Sequence, residues 1–217
     1  MGCDIHCYAE VNKSGIWEKI GDMFKNPWYN PDKDDSFYKE FIDHPYDDRN
    51  YNLYAILANV RNGYDLIPIA YPKGLPEDVS DEIKSNSDDW CGDGHSHSWF
   101  TFKELLDFDW KNNSIENEAW VSEEVYKQFK ETGNPYPCSG GVDGGNIRKE
   151  TNKEMNRIIK NKYPWEKEYS FYTIIKWNQS FLDAGQGLLD NLNEFIKSNN
   201  ISDEELSNYR IVFWFDN

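Results

Sequence analysis

The stretch Arg210-Ile211-Val212-Phe213-Trp214-Phe215 decides the fold. Side chains on a strand alternate between faces. Here Ile211, Phe213 and Phe215 fall on one face, and Val212 and Trp214 join Arg210 and Asp216 on the other. A strand that is apolar on both sides belongs in the middle of a sheet. A second strand is predicted at the opposite end of the chain, over residues 2–11. There Cys3, Ile5, Cys7, Ala9 and Val11 alternate with Asp4, His6, Tyr8 and Glu10. The first set predicts a core face that takes both thiols. The second predicts a polar face carrying Asp4, His6 and Glu10 in register. Lys13-Ser14-Gly15 turns the chain into a partner strand over 16–21, so a hairpin is expected.

Outward from these strands, residues 169–178 are rich in β-branched and aromatic side chains and predict a further strand. Helices are predicted at 51–61 behind Asp48 or Asn50, at 81–89 behind Ser80, and at 102–109 behind the Thr101/Glu104 capping box. Others are predicted at 122–132, at 151–162 behind Thr151/Glu154, at 180–197, and in a short run behind Ser202/Glu205. Residues 110–120 read as a polar connection. Residues 22–48 read as a long irregular loop carrying Trp28, Tyr29, Phe37, Tyr38, Phe41 and Tyr46, a lid or an aromatic-pinned excursion. The sum is an α+β fold: one domain over 1–217, a mixed or antiparallel sheet holding both terminal strands, and helices inserted between.

Composition narrows the partners. Net charge is −16, which opposes extended nucleic acid and anionic membranes, because both are bound by neutralising their phosphates. A small phosphorylated ligand is still open, since a local arginine can hold it. No apolar run approaches the ~20 residues that span a bilayer. The start lacks a basic segment and an apolar core, so no signal peptide is read. Four unevenly spaced cysteines follow no secreted framework, which places the protein in a reducing cytoplasm. A homo-oligomer is left open.

The chemistry concentrates in Cys91-Gly92-Asp93-Gly94-His95-Ser96-His97-Ser98-Trp99, read as a loop between two helices. Histidine titrates near neutrality and is the commonest metal ligand. If this loop meets the polar face of the first strand, His95, His97, His6 and Asp93 form a catalytic acid–base cluster. Asp4, His6, His95 and His97 equally suit a divalent metal with an open position. If the loop faces water, it is a turn and nothing more. Arg49 and Asn50 stand before a helix N-terminus, where an anion is favoured. A second loop, Pro135 to Asn146, lacks the Lys-Ser/Thr of a P-loop. Its amides at Gly140, Gly141 and Asn146 offer an anion nest with Arg148 beside it, and Trp99 offers an aromatic surface. A structural zinc site is disfavoured because Cys3 and Cys7 alternate against His6. No Gly-x-Ser-x-Gly elbow is present.

Several blocks together carry a resemblance. They are Met1-Gly2-Cys3-Asp4-Ile5-His6, Asp48-Arg49-Asn50-Tyr51, Gly92-Asp93-Gly94-His95-Ser96-His97-Ser98-Trp99, the loop 140–146, and Arg210 to Asn217. Over its whole length the chain resembles a family of bacteriophage and prophage proteins that share these blocks. The resemblance implies a phage accessory protein made in the host bacterial cytoplasm, of the kind that disarms defence by cleaving or sequestering nucleotide signals. The expected function is a hydrolase or phosphodiesterase acting on a nucleotide or cyclic nucleotide. The alternatives are a non-catalytic binder that sequesters it, or an acidic protein–protein inhibitor.

Overall fold

A computed structural model describes residues 2–32, 38–135, 137–161 and 168–217. Met1, Phe37, Tyr136 and the expected helix end at Lys162 lie outside the described residues. In chain order the elements are β1 (Ile5–Lys13), β2 (Ile16–Lys19), β3 (Phe24–Lys25), β4 (Phe41–Ile42), α1 (Tyr51–Ala58), α2 (Asp81–Asp88), β5 (His95–Thr101) and α3 (Phe102–Asp107). They continue with β6 (Ser114–Ser122), α4 (Glu123–Thr132), β7 (Ile147–Glu150), α5 (Asn152–Asn161), β8 (Ser170–Ser180), α6 (Phe181–Ser198) and β9 (Tyr209–Phe215). The class is α+β, as expected. The chain divides into two compact units, one made of Met1–Asn113 with Ser180–Asn217, the other of Ser114–Gln179.

The first unit is built on an antiparallel sheet of order β2-β1-β9-β5. β9 is central, as its two apolar faces require. On one face Phe215 meets Tyr54 of α1 at 4.9 Å between ring centroids, and Tyr209 meets Phe195 of α6. On the other, Val212 and Trp214 pack with Ile83 of α2 and with Leu75, Val79 and Trp90. Trp214 is completely buried. Removing an aromatic side chain from such a site costs about 3–5 kcal/mol.

Both faces of the sheet are covered, and Glu10, on the polar face with His6 as expected, is fully buried. Arg210, directly opposite on β9, donates from Nε to Glu10 Oε2 at 2.6 Å and from Nη1 to Asp78 Oδ1 at 2.8 Å. Ser80 N donates to Glu10 Oε1 at 2.7 Å. The Trp17 ring lies 3.9 Å from the guanidinium. The charge is buried because the pair is fully partnered.

The local signals mark several element starts well. Asn50 accepts from Leu53 N, and the Thr101/Glu104 and Ser180/Asp183 capping boxes both close. Ser80 heads α2 without a side-chain cap. After Ser202 the chain forms a 3₁₀ turn, Leu206–Asn208, in place of the expected short helix. Within 22–48, β3 pairs with β4, and Tyr46 is buried against the bare Cα of Gly187. Trp28, Tyr29, Tyr38 and Phe41 are exposed.

The second unit holds a sheet of order β6-β8-β7, with β7 parallel to β8. Its core is Val121, Val125, Tyr126, Met155 and Ile175. The polar connection expected at 110–120 is largely β6. Its inward residues are Ile115, Asn117, Ala119 and Val121, alternating with exposed Ser114, Glu116 and Glu118. The period of two is present but diluted by asparagine and glutamate. β7 was also unexpected; four mostly polar residues give no propensity signal, and its strand character comes from pairing with β8.

Candidate functional site

The two outer segments of the first unit run side by side. Ile5 is opposite Phe215, and the ladder continues outward as Asp216 N donates to Asp4 O and Asp4 N donates to Asp216 Oδ1. This fixes four polar side chains in a row. His6 Nε2 lies 3.3 Å from Asp216 Oδ2. Asp4 receives two parallel bonds from Arg49, Nε to Oδ1 at 2.8 Å and Nη2 to Oδ2 at 2.6 Å. The guanidinium holds the Asp4 carboxyl below the usual carboxylate range. The imidazole of His6 is a fifth exposed and lies against Trp90 at 4.1 Å and Trp214 at 5.6 Å. Two indoles and a carboxylate thus set its orientation, with Nε2 turned to Asp216.

The Gly/His stretch does reach this strand, in a way that period two does not predict. It is not a loop between helices; from His95 onward it is the edge strand β5, paired with β9. Histidines two apart on a regular strand share a face. Here the register slips between His95 and Ser98, so Ser96 and His97 together oppose the single residue Trp214. Ser96 adopts a left-handed backbone, φ 55°. The bulge sends the two imidazoles to opposite faces. His95 stacks on Phe215, on the face of Ile5 and Cys7. His97 stacks on Trp214 at 5.7 Å, on the face of His6.

The partners of the two differ accordingly. His97 Nε2 is 2.8 Å from Ser87 Oγ on α2, and burial lowers its pKa, with His95 adding to the effect. His95 Nδ1 is 3.0 Å from Ser96 Oγ, and its Nε2 is buried with no hydrogen-bond partner among the described residues. Gly94 has a positional reason: a Cβ there would stand 3.2 Å from Trp90 Cβ and 3.5 Å from Trp214 Cδ1.

The expected sites therefore assemble in part. His6 and His97 share the Trp214 indole, on the strands to either side of it. His95 does not join them. Asp93 lies in the exposed turn before β5, its N–H donating to Trp90 O. The metal set Asp4, His6, His95 and His97 is not gathered. Asp4 is taken by Arg49, His6 faces Asp216, and the bulge separates His95. Among the described residues no group of three or more His, Cys, Asp or Glu is placed to hold a metal ion. Asn50 is occupied as a helix cap, its amide also donating to Ala184 O. Trp99 lies under Lys73, whose Nζ is 3.8 Å from the ring centroid.

The remaining expected residues belong to the second unit. Arg148 donates to Gly145 O and Ile147 O, and its guanidinium stacks 3.9 Å from the Tyr169 ring. Asn146 O accepts from Ser170 N. Gly140 and Gly141 have no atom among the described residues within 4 Å of an added Cβ, and neither has a positive φ. In this conformation neither position requires glycine.

Sequence reading passed over Asp216, Ser87, Trp90 and Trp214 as site residues. Asp216 had the one available signal, a carboxylate in step with Trp214 on the predicted strand. Among the described residues no helix is long and apolar enough to cross a membrane. Comparison of the chain with family models, with curated proteins and with solved structures gives no match.

Proposed function

We propose that the protein is a hydrolase of a small phosphorylated ligand, a nucleotide or cyclic nucleotide, working as a phage accessory protein in the bacterial cytoplasm. The observation that carries this reading is the contact chain His6–Asp216–Asp4–Arg49. It joins an oriented imidazole to a guanidinium through two carboxylates at one end of the β1–β9 ladder. Asp216 holds Nε2, so Nδ1 of His6 is the nitrogen that exchanges a proton with the ligand or an attacking water. Arg49 gives two N–H bonds to Asp4 and presents the rest of its fork, with half of its side chain exposed, to a phosphate oxygen. His97, kept neutral by burial and hydrogen-bonded to Ser87, lies on the other side of Trp214 and supports the indole.

A second reading, sequestration without turnover, is favoured by one feature. Arg49 and His97 are already engaged by protein partners, which suits a rigid binding surface. The test incubates the protein with a nucleotide panel, denatures it and identifies the small molecules. New products that fall at least 100-fold with His6→Ala and Asp216→Asn, and persist with His95→Ala, support the hydrolase. Intact ligand recovered from the denatured protein supports sequestration. Turnover undiminished in His6→Ala would sink the assignment of the base.

A further inference from the structure

We infer that Arg49 and Arg61 form a two-guanidinium clamp for the phosphate of a nucleotide, seated over Gly2 with the Tyr51 ring beside it. The inference rests on the reading that the ligand is a small phosphorylated molecule, and it adds where the phosphate sits and which residues hold it. The two arginines flank α1, one ahead of its start and one beyond its end, yet both side chains return to the same backbone unit. The Arg49 guanidinium stands 2.8–2.9 Å from where a Cβ on Gly2 would be. Arg61 Nη2 donates to Gly2 O at 3.4 Å and to Asn217 Oδ1 at 2.9 Å. The absence of a side chain at position 2 is what lets the first guanidinium lie flat there.

Three further facts point the same way. Arg61 has a left-handed backbone, φ 53°, a conformation disfavoured for any residue with a Cβ and relieved by glycine. Keeping arginine there aims a guanidinium at Gly2. Arg49 uses Nε and Nη2 on Asp4, which leaves Nη1 of its fork for an incoming anion. Tyr51 is exposed, and its ring centroid lies 5.9 Å from the Arg61 guanidinium. It gives a nucleobase a face to stack on, next to the cations that take the phosphate.

The test measures binding of inorganic phosphate, adenosine and adenosine 5′-monophosphate to the full chain by calorimetry. The wild type is expected to bind the monophosphate more tightly than phosphate, and adenosine least. Arg61→Gly removes the cation and eases the backbone, so it keeps the ligand-free melting temperature. It is expected to lose at least tenfold in affinity for both phosphate-bearing probes. Gly2→Ala, which pushes the Arg49 guanidinium aside, should do the same. Tyr51→Ala should weaken the monophosphate and leave inorganic phosphate unchanged. Monophosphate binding undiminished in Arg61→Gly overturns the clamp while leaving the hydrolase or sequestration reading standing. Failure of both phosphate-bearing probes to bind the wild type overturns the clamp, and the hydrolase or sequestration reading falls with it only if the nucleotide panel also yields neither product nor bound ligand.

Discussion

The two units carry the same kind of surface chemistry in very different proportion. In residues 114–179 ten acidic side chains meet ten basic ones. In the first unit 29 acids meet 13 bases, which is the whole of the net charge of −16. All four histidines are in the first unit and none in the second. The second unit settles its charges locally, as in Lys127 with Glu123, Lys149 with Asp143, and Lys176 with Glu116 and Glu118. The first has surface pairs of the same kind, as in Lys84 with Asp88 and Lys103 with Asp107, and in addition places Arg210 inside the sheet and Arg49 and Arg61 at its outer end. A solvated salt bridge is worth little. An arginine set against an excess of acid where the chain ends converge has a role to be explained.

The largest test of this contrast sets one cation from each unit side by side. Arg210→Ala strands Glu10, fully buried, without a counter-charge. It should cost about 3–5 kcal/mol in denaturant unfolding. Lys176→Ala, breaking exposed pairs in the second unit, should cost under about 1 kcal/mol. Equal losses would erase the distinction. Next in size is a pair of glycines. Gly185 lies under the Trp110 indole, and an added Cβ would stand 2.6 Å from Trp110 Cζ3. Gly185→Ala should therefore destabilise by about 1–3 kcal/mol, although alanine is the better helix former. Gly141→Ala in the second unit meets open space and should be near neutral. Thermal melts of the two variants decide this.

The smallest effect is a pH slope. His44 Nδ1 is 3.0 Å from Asp43 Oδ1, and its Nε2 is 3.2 Å from Asp47 Oδ2. The Asp47 hydrogen bond raises its pKa, with Asp43 adding to the effect and burial opposing it. Asp43 also binds Lys19 of β2. A raised folded pKa means stability that is complete below the unfolded value of about 6.5 and fades as pH rises through the folded one. His97 has the opposite sign. Its lowered pKa means stability that falls as pH drops below about 6.5. Unfolding of His44→Gln across pH 5–8 should lack the alkaline-side decline and keep the acid-side one. The second unit, with no histidine, should contribute no such slope. An unchanged profile in His44→Gln would remove this part of the contrast.

What could be read beforehand divides along similar lines. The central place of β9, the β1–β2 hairpin and the caps at Asn50, Thr101 and Ser180 follow from signals within a few residues of each other. The faces of His95 and His97 do not. They turn on one left-handed residue, Ser96, where serine gives no more hint of a bulge than of a strand. The burial of Glu10 was not legible because its partner lies 200 residues away. Arg61 was passed over because its reach back to Gly2 depends on its backbone conformation. β6 was legible in principle, since Ile115, Ala119 and Val121 alternate with polar neighbours, but Asn117 interrupts the apolar series.

The central position of β9 also sets an order of assembly. Its ladder with β1 joins residues about as far apart as the chain allows, Glu10 with Arg210 across 200 positions. Pairings of that separation form late, because loop-closure entropy is lost before the contacts repay it. The β1–β2 hairpin and the caps can form early. The sheet of the first unit stays open, with β1 and β5 each showing an unpaired edge, until β9 inserts between them. During that interval the edges of β1 and β5 are the most exposed to mispairing with another chain. Slowing the arrival of β9 should therefore raise aggregation before it lowers the stability of the finished fold.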